Sequence, residues 1–342
     1  MKIKTALTVP CSRFLYFHCM KNLLLLALLL PTFLLAQVKW KNVDSLFQPL
    51  PATVHVYYTN DSLEGKPNIA YYVSAELKDK NLDFTVDTTL GRRLTPTQYF
   101  ERNNHPLLTV NCTFFEFTHN RNVNTVIKNG KLVGYNMHTI AGRGKDTLTY
   151  RHPLGSAIGI DKKRNADVAW LFTDSSEKYA YAIQRPVHEV LKDSLNTFSK
   201  KKAEWISQTA NADGTVQSTL SKWKMQTAVG GGPVLLQNGN IQITNNEELK
   251  FSGKGGLTDK HPRTCMGYTK DGKLIIMVVQ GRFKGIAEGA TLEQEAKLLQ
   301  AIGCWEALNL DGGGSSCLLI NGKETIKPSD KEGQRPVPCV FI

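Results

Sequence analysis

The 342 residues contain no Cys-x-x-Cys pair, no His-Glu-x-x-His, no Asp-x-Asp-x-Asp-Gly loop and no dense cluster of histidine with aspartate. Those gaps argue against structural zinc, a thioredoxin-like redox pair, a metalloprotease centre and an EF-hand; neither a metal nor another cofactor is implied. No Gly-Lys-Ser/Thr follows a glycine run, so a nucleotide P-loop is absent. Internal repeats, low-complexity tracts and heptads are also missing, and one compact catalytic domain is the simplest organisation. Lys162–Arg164 and Lys200–Lys202 are the only basic runs, and neither is interleaved with aromatic residues. They read as solvated surface, and nucleic acid is not expected as a partner.

The charge that is present is moderate. Of the net +12, four positive charges and no acids lie in residues 1–36, which leaves +8 for the remainder, a balance compatible with an anionic ligand. Met20-Lys21, the apolar run Leu23–Leu30, and Pro31 to Ala36 have the charge, core and small terminal residue of a secretory signal peptide. Residues 1–36 are expected to be removed, with Met20 an alternative start, and the product to be periplasmic or extracellular. The run from Leu23 to Ala36 is shorter than the roughly 20 residues a membrane-spanning helix needs, so no stable span should remain after cleavage. Seven cysteines minus Cys11 and Cys19 leave five, all in apolar or glycine-rich settings. An odd number in an oxidising compartment leaves at least one free thiol; one disulfide is possible and its partners are open.

After a lead-in at 37–50, the domain is expected to fill 51–342. Thr53–Tyr58, Ile69–Leu77 and Leu107–Asn111 have the β-branched and aromatic character of strands. Asn129-Gly130, Asn238-Gly239, Asp271-Gly272 and Asn321-Gly322 each separate two apolar runs and predict tight hairpins. Thr95-Pro96 predicts a short helix to about Arg102, and a Thr291/Gln294 capping box predicts a longer one with Leu292, Ala296, Leu299 and Ile302 on one face and Gly303 as its stop. Residues 188–209 fit one or two helices in an insertion spanning 174–222. The expected fold class is α+β, a largely antiparallel or mixed sheet with several hairpins and a few packed helices.

Chemistry concentrates in Ala307–Gly322, ALNLDGGGSSCLLING, where an apolar strand stops at Asp311 before three glycines and two hydroxyls. Gly312, Gly313 and Gly314 can reach angles closed to other residues, so their amides could converge on an anion beside Asp311, Ser315 and Ser316. A hairpin capped by Asp311 is the plainer alternative. Gly230, Gly231 and Gly232 form a second possible nest. Asn111 ends a strand just before Phe114-Phe115, where it could orient a sugar hydroxyl while an aromatic ring covers a sugar face, or could equally be a turn residue beside core phenylalanines.

NLDGGGSS resembles the signature of the phosphodiester glycosidase family. Three further blocks agree in order and spacing: VNCTFF at Val110–Phe115, VGGGPVLLQNG at Val229–Gly239 and HPRTCMGYTKDGKLIIMVVQGR at His261–Arg282. Two departures stand out. Cys112-Thr113 occupy positions where the family tends to have two glycines, and Gln280 stands where aspartate is common before Gly-Arg.

The resemblance implies a hydrolase acting on a sugar phosphodiester or glycan. The anomeric carbon–oxygen bond would break through an oxocarbenium-like state stabilised by a carboxylate, while the departing phosphate is held by cations. Asp311 is the expected catalytic carboxylate and Glu288 the expected second one. Arg263 and Arg282, the two arginines at strand ends in the matching blocks, would bind phosphate, and His261 is a further candidate donor or acid. The altered positions keep two alternatives open: a noncatalytic protein that binds exopolysaccharide or sugar phosphate, and a phosphodiesterase that cleaves phosphorus–oxygen.

Overall fold

Every strand pairing found among the described residues is antiparallel, and the strands gather into sheets of eight, seven, five, three and two. The computed structural model describes residues 38–187, 191–208, 219–252 and 255–342; the expected signal peptide lies outside them, as do 188–190 and 209–218 of the insertion. Among the described residues four α-helices accompany the sheets, so the class is α+β. Within the expected lead-in, Lys41–Asn42 forms the edge strand of the eight-stranded sheet by pairing with Val54–Thr59. None of these helices is long and apolar enough to cross a membrane.

Local sequence explains much of this framework. Asn129-Gly130, Asn238-Gly239 and Asn321-Gly322 all have positive φ at both residues, as a two-residue type I′ hairpin demands. Asp271-Gly272 differs. Only Gly272 is left-handed there, and the loop between Arg263–Thr269 and Lys273–Val279 is wider, because the Asp271 carboxylate turns back to accept from the Thr269 hydroxyl. Both capping boxes form, at Thr95/Gln98 for helix Pro96–Arg102 and at Thr291/Gln294 for helix Leu292–Ile302, which ends on left-handed Gly303. In the insertion, a strand Leu191–Asp193 paired with Tyr150–His152 replaces the start of the expected helical stretch, and helix Lys200–Gln208 follows.

The strand Lys273–Val279 is apolar without alternation because both of its faces are covered. Leu274, Ile276 and Val278 join the main core shared with Ile158, Trp170 and Val229 of the seven-stranded sheet. Ile275, Met277 and Val279 meet Leu292, Ala296 and Leu299 of the long helix. Burial at roughly 25 cal/mol per Å² of apolar surface on both faces makes this strand the spine of the fold. Its neighbour Arg263–Thr269 pairs in turn with Cys304–Asn309, the strand that leads to Asp311. The five-stranded sheet sets Leu108–Asn111 between Leu318–Ile320 and Cys339–Phe341, bringing the Asn111 strand end to the same place.

Candidate active site

The strand end at Asp311 is locked from two sides. The Leu310 N–H donates to Thr264 O at 2.8 Å and the Asp311 N–H to Cys112 O at 2.8 Å. Beneath it, buried Asn111 donates through Nδ2 to the Asp311 carbonyl at 2.6 Å, while its Oδ1 accepts from the Thr264 hydroxyl at 2.9 Å and the Cys317 N–H at 3.0 Å. Both ends of the amide are therefore committed within the protein, which makes Asn111 a brace for the Asp311 turn rather than a free donor to a sugar. Burial pushes the Asp311 carboxyl up to about 7. The Ser315 hydroxyl, the nearby Arg335 and the Gly312 N–H pull the other way and only partly offset it.

The three glycines also have a packing role. A Cβ on Gly312 would sit 2.7 Å from Pro262 O, and one on Gly313, whose φ is +62°, would sit 2.9 Å from Arg282 Nη2. On Gly314 it would overlap the Arg335 guanidinium and the Asp330 carboxylate. Side chains are absent here because two arginines press against the backbone. The Gly313 N–H is taken by Pro262 O, and the Ser315 and Ser316 N–H groups close a 3₁₀ turn on Gly312 O and Gly313 O. In the second run, Gly230, Gly231 and Gly232 donate to Thr125 O, Ser156 O and Asn309 O. Those amides are spent within the protein, and Gly231 packs closely on Asn309 and Leu310 while Gly232 packs on Glu248 and Lys250.

The two expected arginines separate. Arg282 is exposed, has φ +68°, and reaches the glycine run, with Ser329 Oγ 3.5 Å from Nη1; among the described residues no carboxylate pairs with it. A non-glycine residue held at positive φ beside a half-buried carboxylate is the kind of strain that marks functional sites. Arg263 instead shares the parity of Cys265 and faces the long helix. It is 3% exposed and donates to Ala290 O at 2.8 Å and Asp259 O at 3.1 Å, near Phe251 and fully buried Glu295. Glu295 is itself pushed up to about 7 by burial. Arg263 is thus part of the scaffold, where sequence position suggested a phosphate ligand.

Glu288 is half-buried on the loop that also carries Arg282, whose N–H donates to Glu288 O at 3.4 Å, while the Glu288 N–H donates to Pro67 O. His261 stands beside Arg282, and burial together with the Arg263 and Arg282 charges lowers its pKa, disfavouring the charged form. Ser316 is buried against the Thr264 hydroxyl at 3.2 Å.

Sequence reasoning missed Arg335 and Asp330. They form a two-pronged ion pair at 2.7 and 3.0 Å on the outer side of Gly314, in a stretch without a recognisable motif. It also missed Phe117, which is 60% exposed and carries Arg335 at 5.8 Å and Arg93 at 5.0 Å from its ring centre. Gln280, the residue at the departing position, is buried and accepts from the Lys327 N–H at 2.8 Å, tying down the segment that leads to Ser329 and Asp330. Among the described residues no cluster of three His, Cys, Asp or Glu side chains could hold a metal.

Known proteins resemble this arrangement at two levels. A family profile described as phosphodiester glycosidase matches residues 162–342, just over half the chain. The mouse N-acetylglucosamine-1-phosphodiester alpha-N-acetylglucosaminidase is 31% identical over 103 residues, 28% of this chain and 20% of that protein. A SPbeta prophage-derived uncharacterized protein of Bacillus subtilis is 40% identical over 74 residues, 22% of this chain and 11% of its own. The matched region therefore spans about a fifth or less of these relatives. Among solved structures, the catalytic domain of the zebrafish N-acetylglucosamine-1-phosphodiester alpha-N-acetylglucosaminidase has a TM-score of 0.53 at 17% identity, over 89% of this chain and 87% of that one. A hypothetical protein from Synechocystis gives 0.54 at 15% identity over 89% and 63%. At these identities the structural likeness is one of fold.

Proposed function

The chain belongs to the phosphodiester glycosidase family, and we propose that it hydrolyses the anomeric carbon–oxygen bond of a sugar 1-phosphodiester in a glycan or cell-envelope polymer, outside the cytoplasm. The observation that carries this reading is the Asp311 carboxylate, desolvated and flanked across the glycine run by Arg282 and Arg335. Ionised, such a carboxylate stabilises or attacks an oxocarbenium-like anomeric carbon. A phosphate monoester is a good leaving group and asks for cations more than for a proton. Arg282, exposed and without a carboxylate partner among the described residues, is the group able to hold it. Arg335 is already half neutralised by Asp330 and serves to hold the turn and tune Asp311. Phe117, 60% exposed and flanked by Arg93 and Arg335, offers aromatic surface that a sugar can touch. Glu288, on the same loop as Arg282, is the second carboxylate in this scheme.

Hydrolysis in heavy-oxygen water tests the bond that breaks. Label recovered in the sugar hydroxyl, with none in the phosphate, is the expected result; label in the phosphate alone would mean phosphodiesterase chemistry. Export is tested separately by N-terminal sequencing of the mature protein, expected to begin at Gln37; a mature chain that still begins upstream of Leu23 would overturn it.

A further inference from the structure

A cavity of about 360 Å³ opens beside this site, walled by Phe114, Met137, Ile140, Pro153 and Phe251. It shares its construction with the Asp311 turn: Phe114 follows the Cys112 carbonyl that holds Asp311, and Gly231 packs on Leu310. One cation lies in this wall. Lys250 Nζ sits 5.6 Å from the Phe114 ring centre and has no hydrogen-bond acceptor or ion-pair partner among the described residues. Glu248 is close, but its carboxylate already accepts from five donors: Ser156 N–H and Oγ, Trp170 Nε1, Val234 N–H and the Thr244 hydroxyl. It has little capacity left for the ammonium. Burial accordingly lowers the Lys250 pKa, and the Glu248 charge only partly restores it. A desolvated, unpartnered ammonium between aromatic walls is costly to keep unless something anionic enters.

We propose that Lys250 is a specificity residue that takes an anionic oxygen of the substrate, with the attached sugar lying against the edge-to-face pair Phe114–Phe251. This rests on the phosphodiester glycosidase reading for its substrate. The anion is either the diester phosphate or an acid group on the sugar, as in a uronate. Lys250→Met removes the charge and keeps the stem; because it relieves a desolvated ammonium, the variant should melt no lower than the parent. Both proteins are assayed on a neutral-sugar 1-phosphodiester, a uronic acid 1-phosphodiester and a neutral aryl glycoside. Loss of about ten-fold or more in kcat/KM on both diesters, with the aryl glycoside spared, identifies the phosphate; loss on the uronate diester alone identifies the sugar acid. Lys250→Arg should restore part of either loss. Calorimetric titration with methyl phosphate and methyl glucuronide separates this inference from the activity itself. Binding that Lys250→Met abolishes supports the subsite even if no substrate turns over. Equal binding and equal kcat/KM in a folded Lys250→Met protein would overturn it.

A second observation stands apart from function. The antiparallel register that pairs Val110 with Phe341 and Asn111 with Val340 sets Cys112 opposite Cys339 at the next step. Both are 1% exposed, and the neighbouring Cys339 adds to the burial that pushes the Cys112 thiol up. Opposed residues in such a pair have Cα atoms about 4.5–5.5 Å apart, inside the range a disulfide spans. We infer that Cys112 and Cys339 are the one disulfide-competent pair among the described residues, oxidised as the strands close. A small-molecule disulfide such as oxidised glutathione accepts the two electrons: the Cys112–Cys339 bond forms as the glutathione S–S bond breaks and two glutathione thiols are released. Refolding in a glutathione buffer, followed by alkylation under denaturing conditions and peptide mapping, should yield a linked peptide pair carrying 112 and 339, with Cys265, Cys304 and Cys317 alkylated. Any other pairing, or alkylation of all five, would overturn it.

Discussion

Asn111 Nδ2 donates to the main-chain carbonyl of Asp311 across a separation of 200 residues, at 2.6 Å. The same amide accepts from Thr264 and Cys317, so one buried side chain joins three segments below the site. Asn111→Ala should strand these partners, cost about 2–3 kcal/mol in a urea melt, and lower kcat more than it raises KM. A variant with normal kcat and normal stability would show that the brace is dispensable.

Asp311→Asn keeps the shape and removes the charge. Turnover should fall by about 10²-fold or more with little change in substrate affinity, read by steady-state kinetics on a sugar 1-phosphodiester.

The pKa of Asp311 also fixes two pH dependences. Because the ionised form is the reactive one, kcat/KM should rise with pH through about 7. Stability runs the opposite way. The folded carboxyl, near 7, holds its proton more tightly than the unfolded one, near 3.8, so its contribution is complete below about pH 3.8, falls as pH rises towards 7, and is flat above. Glu295, also raised to about 7, adds a contribution of the same sign. Thermal melts should therefore show Asp311→Asn gaining on the parent between pH 4 and pH 8, by about 2 kcal/mol, with a residual slope left to Glu295.

Arg263 and Arg282 should part company under alanine substitution. Arg263→Ala leaves Glu295 buried without its nearest cation and removes a donor from Asp259 O and one of the two donors to Ala290 O, and should lower stability by about 3 kcal/mol. Arg282→Ala should melt like the parent yet lose at least ten-fold in kcat/KM on phosphodiesters, sparing aryl glycosides whose leaving group carries no phosphate. Comparable melting losses in both variants would contradict the placement of Arg282 at the surface of the site.

Gly313→Ala meets two obstacles, a left-handed φ and the Arg282 guanidinium. It should cost about 1–2 kcal/mol and reproduce part of the Arg282→Ala substrate pattern, which kinetics on the same two substrate types would reveal.

The hairpins at Asn129-Gly130, Asn238-Gly239 and Asn321-Gly322, and both capping boxes, were legible because the deciding interactions lie within a few residues. Asp271-Gly272 carried the same signal but went to a wider loop, since aspartate there bonds back to Thr269. Asp311 could be read as a strand end before a glycine run. What the glycines accommodate could not, because the arginines pressed against them, Arg282 and Arg335, arrive from elsewhere in the chain. Amides that looked free in both glycine runs are taken by Pro262, Ser156 and Asn309, partners chosen by sheet register. Arg263 was misread for a related reason: one step of strand parity separates it from Thr264, and that step decides between the helix side and the Asn111 side. Lys250 and Arg335 sit in segments with no periodicity, where only three dimensions reveal a neighbour.

The strand Cys339–Phe341 fills the space between Val86–Thr88 and Leu108–Asn111, which have no contact through a ladder of their own. During translation these two early strands must wait, with facing edges vacant, until the late segment has been made. Pairings between such distant segments are slow to close. A nascent chain halted before that segment could complete most of the two large sheets and still leave the Asn111 strand end unsupported on one side. The Asn111 brace, and with it the Asp311 turn, would then be held on both sides only once the Cys339–Phe341 strand had paired.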